Sequence, residues 1–268
     1  MVRKGKRLLK KILKIIYIFH LFLAVLVFLV CLVYSNVNPK VGTLMLYREI
    51  KNRYKVQPVE YISINKIPRQ LKILVVAAED SKFYEHWGVD PEAISEALSR
   101  KDNLKKKYYG ASTITQQLAR TLFLLPDKNF FRKYMEIFIA VEMDILLQKE
   151  KILELYLNSI EWGKGIFGIK GAAEYYYGKG VSELSMEEMV ELVTILPNPI
   201  KYGPGNFMKR KLFLRRYEFL ASVAGLTNQE WNDDNQNGEG ITNSYDSFYI
   251  EEEISSSNEQ NQAGFLSE

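Results

Sequence analysis

Three short stretches of this sequence combine ionisable and hydrogen-bonding residues in patterns that chemistry can use. The first covers residues 79–90 and holds Glu79, Asp80, Phe83, His86 and Asp90. Glu79 comes after Val75-Val76-Ala77-Ala78, so it emerges from an apolar helix into a cleft. Partial desolvation there makes a carboxylate a better proton acceptor near neutral pH. If the helix continues, Phe83 lies one turn on and walls the same cleft. An acidic pair after an apolar run also fits a solvated helix end, and a lone His86 also fits a structural hydrogen bond.

The second stretch is Gly110-Ala111-Ser112-Thr113-Ile114-Thr115-Gln116-Gln117-Leu118-Ala119-Arg120. In a helix, Thr113, Gln116, Gln117 and Arg120 share one face, because they are three or four apart. That is a donor-rich stripe at a helix N-terminus, where backbone N–H groups favour an anion such as a diphosphate. By itself it also fits an N-cap followed by an exposed polar face. The third stretch is Arg132-Lys133-Tyr134-Met135-Glu136, with Arg132 and Glu136 four apart and facing the same way. A surface ion pair of that kind is worth at most about 1 kcal/mol. Lys128, Arg132 and Lys133 beside Phe130 and Phe131 also make a basic, aromatic edge suited to lipid headgroups.

Helices must position these groups. Leu71, Val75, Ala78 and Lys82 step along one face at helical spacing after Pro68. A second helix starts at Ser112-Thr113, where Thr113 with Gln116 three residues on fits a capping box. Further helices are expected over residues 131–147, 150–159 and 185–196, the last stopped by Pro197. No stretch alternates well enough to argue for a sheet, so the fold class is mainly α. Residues 36–66 carry little periodicity and read as a connecting stretch.

Charge and hydropathy divide the chain. Residues 15–34 hold no formal charge, and a helix of twenty residues spans roughly 30 Å, the thickness of a bilayer core. Seven Lys/Arg and no acid precede this run, so the N-terminus stays cytoplasmic and the chain after Ser35 is exported. A cleaved signal peptide is the competing reading, but the run is long and Val33-Tyr34-Ser35 is a weak cleavage site. The only cysteine, Cys31, lies within the run after Val30, a poor lipoprotein box, and excludes an internal disulfide framework. Residues 226–268 hold ten Asp/Glu and no base and read as a solvated tail. With both ends set aside, the middle carries +7, which calls for an anionic partner.

Taken together, the three stretches resemble the signature motifs of the bacterial peptidoglycan glycosyltransferases (glycosyltransferase family 51), which run E-D-x-x-F-x-x-H-x-G, G-x-S-T-x-T-Q-Q and R-K-x-x-E. A fourth match lies in Lys149-Glu150-Lys151-Ile152-Leu153-Glu154-Leu155-Tyr156-Leu157-Asn158, then Gly163, Gly168 and Tyr177-Gly178-Lys179. A fifth runs from Leu184 through Glu188 to Pro197, Pro199, Tyr202 and Pro204. The resemblance covers roughly residues 60–225. It implies a lysozyme-like helical domain with a small membrane-associated lobe, which takes in Lys101, Lys105, Lys106, Lys107, Tyr108 and Tyr109 or borders them. The resulting organisation is a basic segment over 1–14, an anchor over 15–34, a connection over 35–59, the catalytic domain over 60–225 and the tail over 226–268.

The resemblance further implies a reaction and its residues. Glu79 is the expected general base, taking the proton from the 4-hydroxyl of the acceptor N-acetylglucosamine of lipid II. That oxygen attacks C1 of the chain-heading N-acetylmuramic acid, with inversion and loss of undecaprenyl diphosphate. Asp80, Phe83, His86 and Asn158 are expected around the substrate. Ser112, Thr113, Gln116, Gln117, Arg120, Lys128 and Arg132 match donor-site positions. Glu136 is the second essential carboxylate, acting directly or through a divalent cation, Mg2+ or Mn2+. Expected partners are lipid II, the growing glycan chain and membrane lipid, with other cell-wall synthesis or division proteins left open. Nucleic acid is not expected. Arg120 stands where the family usually has Lys, and Thr121 where Asn is usual. With no K-T-G and no S-x-x-K followed by S-x-N, a transpeptidase activity is not expected. A glycan-cleaving enzyme and a non-catalytic scaffold are the rival readings, the first disfavoured by the cationic donor edge and the second by the presence of both Glu79 and Glu136.

Overall fold

The computed structural model describes residues 2–100 and 112–226. The lysines and tyrosines expected in the membrane-associated lobe, and nearly all of the acidic tail, lie outside the described residues. Ten α-helices, three short 3-10 turns and one small hairpin are the regular elements of the described residues.

Helix α1 (Val2–Asn36) is the single described helix long and apolar enough to cross a membrane, with a mean hydropathy of 3.0 in its most apolar stretch. It is not bare on every side. Leu23, Val27 and Cys31, each four residues from the next, are buried against α6 (Phe130–Leu146). His20 donates from Nδ1 to the Ile16 carbonyl at 2.6 Å, which leaves Nε2 to accept from the Tyr134 hydroxyl.

Helix α2 (Thr43–Ile50) falls in the stretch expected to be a plain connection. It packs on α5 (Ile114–Phe123), and the Thr43 hydroxyl donates to the Leu122 carbonyl at 2.8 Å. Helix α3 (Arg69–Glu79) buries Leu71, Leu74 and Val75, close to the expected face, but it ends at Glu79. The expected continuation to Phe83 does not occur, because Asp80, at φ −166° and ψ +75°, leaves the helical region and its carboxylate is taken by other groups. Helix α4 (Pro91–Arg100) opens with Pro at its first position, and the Asp90 carboxylate accepts the N–H groups of Glu92 and Ala93 at 2.9 and 3.0 Å.

The core centres on α7 (Lys149–Ser159), in which every residue from Ile152 to Ser159 is buried. An antiparallel hairpin of β1 (Glu161–Gly163) and β2 (Ile166–Phe167) comes next; its strands are too short to leave an alternating pattern in the sequence. Helix α8 (Ile169–Tyr177) stops at Gly178 in the left-handed region, as helices commonly do. Helix α9 (Met186–Thr194) carries a full capping box between Ser185 and Glu188, and packs on α3. Helix α10 (Lys211–Val223) closes against α9 and α3. These packings place the C-terminus of α3 beside α9, α10 and the first turn of α5, and that meeting point is where the polar groups gather.

Candidate functional site

Capping explains how α5 presents its first turn. The Thr113 side chain accepts the Gln116 N–H at 3.1 Å, and the Gln116 side chain accepts the Thr113 N–H at 3.2 Å. The expected capping box is therefore formed. It also divides the expected polar stripe. Gln116 is buried within the cap, Gln117 is half-buried and turned toward α3, and Arg120 is exposed. The amide Nε2 of Gln116 has no acceptor among the described residues.

Asp80 binds the same turn from the other side. Its Oδ2 accepts the Ile114 N–H at 2.9 Å, and His86 donates from Nε2 to both carboxylate oxygens at 2.9 and 3.0 Å. A carboxylate at a helix N-terminus complements the helix dipole. Burial nevertheless pushes the Asp80 carboxyl above its ordinary value, against the pull of His86, the Ile114 N–H and Lys149. His86 Nδ1 meets no acceptor or donor among the described residues, which suits a bare lone pair better than an N–H. The loop after His86 is fastened at Gly88, whose φ is +78° and where a Cβ would come within 2.5 Å of the Ala140 carbonyl oxygen. Its own carbonyl accepts from the Thr113 hydroxyl at 2.7 Å.

Glu79 stands at the end of α3 with its side chain 12% exposed. It does not face an apolar wall. Gln117 donates to its Oε2 at 2.9 Å, and the Arg216 guanidinium on α10 donates to its Oε1. A cleft of about 190 Å³ opens beside it, lined by Glu79, Asp80 and Ser81 on one side and by Ser112 and Thr113 on the other.

Glu136 lies on the far side of the α5 terminus, its side chain 1% exposed, and is gripped by two cations. Arg132 donates to Oε2, and Lys133 donates to Oε1 at 2.7 Å. The Lys133 ammonium also donates to Ser112 Oγ at 2.8 Å and reaches Gln116 Oε1 at 3.4 Å. The expected basic, aromatic edge is thus split. Phe130 and Phe131 point outward, 98% and 63% exposed, and Lys128 stands exposed beside them. Arg132 and Lys133 turn inward to Glu136 instead.

Two residues expected around the substrate lie behind the cleft. Phe83 is fully buried, with the Lys149 ammonium 4.7 Å from its ring centre, because the end of α3 at Glu79 turns it into the core. Asn158 is 1% exposed and fully engaged. It accepts the Ile62 N–H at 2.8 Å and donates to the carbonyls of Ile62 and Glu154 at 2.9 and 2.8 Å. Conversely, Arg216, Tyr156, Asp144 and Lys149 take part in the site's network although none is among the expected site residues; Lys149 and Tyr156 do fall within the fourth motif match. Arg216 leaves one faint signal, an arginine pair at 215–216 among the apolar residues of α10.

Among the described residues no three His, Cys, Asp or Glu side chains converge as metal ligands, and both oxygens of Glu136 already face cations.

A helical domain with a carboxylate on either side of one capped helix N-terminus, and cations behind it, defines a class of site. The transglycosylase family model matches residues 47–223, and the chain belongs to that family. Among curated relatives, it is 39% identical over 179 residues to the biosynthetic peptidoglycan transglycosylase of Pseudomonas putida, a stretch covering 64% of this chain and 74% of the relative. The proteins of the same name from Ectopseudomonas mendocina and Pseudomonas syringae are 41% identical over 172 residues and 36% identical over 190 residues. These matches cover 62% and 68% of this chain, and 71% and 80% of the two relatives.

Proposed function

We infer that this chain polymerises peptidoglycan glycan strands, joining lipid-linked disaccharides by glycosyl transfer. The observation that carries the reading is that both essential carboxylates of the resemblance meet at one helix terminus. Glu79 reaches the first turn of α5 through Gln117, and Glu136 reaches it through Lys133 and Ser112.

Chemically, the arrangement separates two tasks. Glu79, at the cleft, is the general base for the acceptor 4-hydroxyl, and general base catalysis is worth roughly 10²–10⁴ in rate. The donor diphosphate gains negative charge as the C1–O bond breaks. Positive groups and oriented N–H donors at the α5 and α6 termini stabilise that charge. Arg132 and Lys133 supply the fixed part, and Arg120 and Lys128 the exposed part. Asp80 and His86 hold the α5 terminus in register with Glu79. Hydrolysis of finished glycan has no diphosphate leaving group and no use for these cations.

The anchor reading assigns α1 to the membrane with the N-terminal lysines and arginines on the cytoplasmic side, so that the domain works on the outer face. A reporter fused after Glu268 then behaves as exported, and the mature N-terminus retains Arg3. An N-terminus near Asn36 would overturn the anchor.

The activity is tested by incubating the purified protein with lipid II and separating the products. Glycan strands are expected from the wild type. Glu79→Gln is expected to lose about 10²-fold or more in rate. A Glu79→Gln protein that consumes lipid II within a few-fold of wild type removes Glu79 from the role of base.

A further inference from the structure

We infer that Arg216 and the Tyr156–Gln117 pair are positioning residues that lock the Glu79 carboxylate from both sides, so that Gln117 serves the base rather than the donor sugar. The inference rests on the reading of Glu79 as the general base.

Arg216 is 3% exposed, and its guanidinium is fixed by two helix ends. Nη1 donates to the Ala78 carbonyl in the last turn of α3 at 3.2 Å, and Nη2 donates to the Val193 carbonyl in the last turn of α9, also at 3.2 Å. Carbonyls in a last turn carry the negative end of the dipole, and although the Val193 carbonyl also accepts the Leu196 N–H at 3.4 Å, a planar cation between the two carbonyls is held firmly. Its bond to Glu79 Oε1 therefore fixes that oxygen relative to two helices at once.

The second arm is fixed by hydrogen-bond logic. A carboxylate can only accept, so the Gln117 group at Glu79 Oε2 is the amide NH2, which turns Gln117 Oε1 the other way. There it accepts from the Tyr156 hydroxyl at 3.0 Å. Tyr156 sits fully buried in α7, the most enclosed helix of the domain. Burial raises its hydroxyl well above the ordinary value, so it remains a donor. The chain Tyr156–Gln117–Glu79 thus carries the rigidity of α7 to the base across α5. With both oxygens held, the carboxylate cannot rotate, while each oxygen keeps lone-pair capacity for an incoming hydroxyl proton.

The test uses the full chain in detergent micelles, with initial rates of lipid II consumption for Arg216→Lys, Arg216→Met and Tyr156→Phe. Each is made in the wild-type background and in Glu79→Gln, whose residual rate is read over long incubations. Tyr156→Phe removes one hydroxyl and keeps the packing, so it reports even if Arg216→Met fails to fold. Misplacing a catalytic group by about an ångström costs up to roughly 100-fold. Tyr156→Phe and Arg216→Lys are accordingly expected to keep KM within about twofold and to lower kcat by about 5- to 50-fold. Arg216→Met is expected to lose more, with Arg216→Lys as the partial rescue. In Glu79→Gln the same changes are expected to alter the residual rate by less than about twofold, because groups acting as one unit are not additive. Wild-type kcat in folded Tyr156→Phe, or an equal fractional loss with and without Glu79, overturns the inference and leaves the base reading intact. Near-wild-type turnover in Glu79→Gln alone overturns the base reading, and this inference falls with it.

Discussion

Lys149 places its Nζ 2.8 Å from the Asp144 carboxylate, and the same ammonium donates to the His86 carbonyl at 2.6 Å. Asp144 in turn accepts from the Thr115 hydroxyl at 2.8 Å. One ion pair therefore ties α5, α6 and α7 to the loop that holds Asp80 and His86. It does not line the cleft; Asp144 is buried and Lys149 half-buried, and the pair braces the loop that carries Asp80 and His86 against α5.

Lys149→Met leaves Asp144 as a buried charge without its cation. Breaking a buried pair in this way costs about 3 kcal/mol or more. A fall in melting temperature of roughly 6–12 °C is expected for a domain of this size. A variant that melts with the wild type would show the pair to be incidental.

The helices legible in the sequence are those with local signals. Thr113 with Gln116, Ser185 with Glu188 and the apolar spacing of residues 71–75 each announce a helix within a few positions. Helices α2, α8 and α10 carry no such signal and appear only in the structure; α4 does carry one, Asp90 followed by Pro91, although it lies outside the expected helices. Helix α8 has a glycine inside it and a run of three tyrosines, and α2 draws its stability from packing on α5 rather than from its own pattern. The same division holds in the site. Glu79, Asp80, Glu136 and the α5 cap belong to contiguous motifs. Arg216 meets Glu79 only because α10 returns to α3 after 137 residues, a contact that spacing cannot encode. Phe83 departs from its expected place for a related reason, since the end of α3 is set by Asp80 bonding to α5, a tertiary contact.

The raised Asp80 carboxyl gives a pH signature. Its folded form holds a proton more tightly than the unfolded chain, whose value is near 3.8. The folded state then binds more protons in the window just above 3.8, and stability falls as pH rises through it. Asp80→Asn lacks this titration. The stability of wild type minus that of Asp80→Asn, followed by thermal melting from pH 4 to pH 7, is expected to decrease as pH rises. An increase would mean that the bonds from His86 and Ile114 outweigh burial.

Metal dependence is set by the surroundings of Glu136. With Arg132 and Lys133 on its two oxygens, the carboxylate has little charge to offer a divalent ion. Mn2+ titrated into the substrate-free protein is expected to show no saturable site by electron paramagnetic resonance, and any ion that assists turnover would arrive with the diphosphate. A saturable Mn2+ site that disappears in Glu136→Gln would put the ion on that carboxylate.

Lys128 and Lys133 separate two ways in which a cation can serve this site. Counted as charges, they are equal, each adding one positive charge near an anionic donor. Their placement differs. Lys128 is exposed, whereas Lys133 spans Ser112, Gln116 and Glu136 and so joins α6 to the first turn of α5. An exposed charge acts through water and is screened by salt within about 10 Å at 0.1 M. A charge held between fixed partners is screened less, and its removal also leaves buried Glu136 with Arg132 as its only ion-pair partner among the described residues. Lys128→Met is therefore expected to lower kcat/KM by about tenfold or less at low salt, a deficit that shrinks at higher salt. Lys133→Met is expected to lose about 100-fold or more, the scale of an oriented donor removed from a developing negative charge, and to keep most of that deficit as salt rises. Initial rates of lipid II consumption at two salt concentrations decide between them. Equal losses, equally relieved by salt, would reduce Lys133 to a surface charge and detach the Ser112–Lys133–Glu136 bridge from turnover.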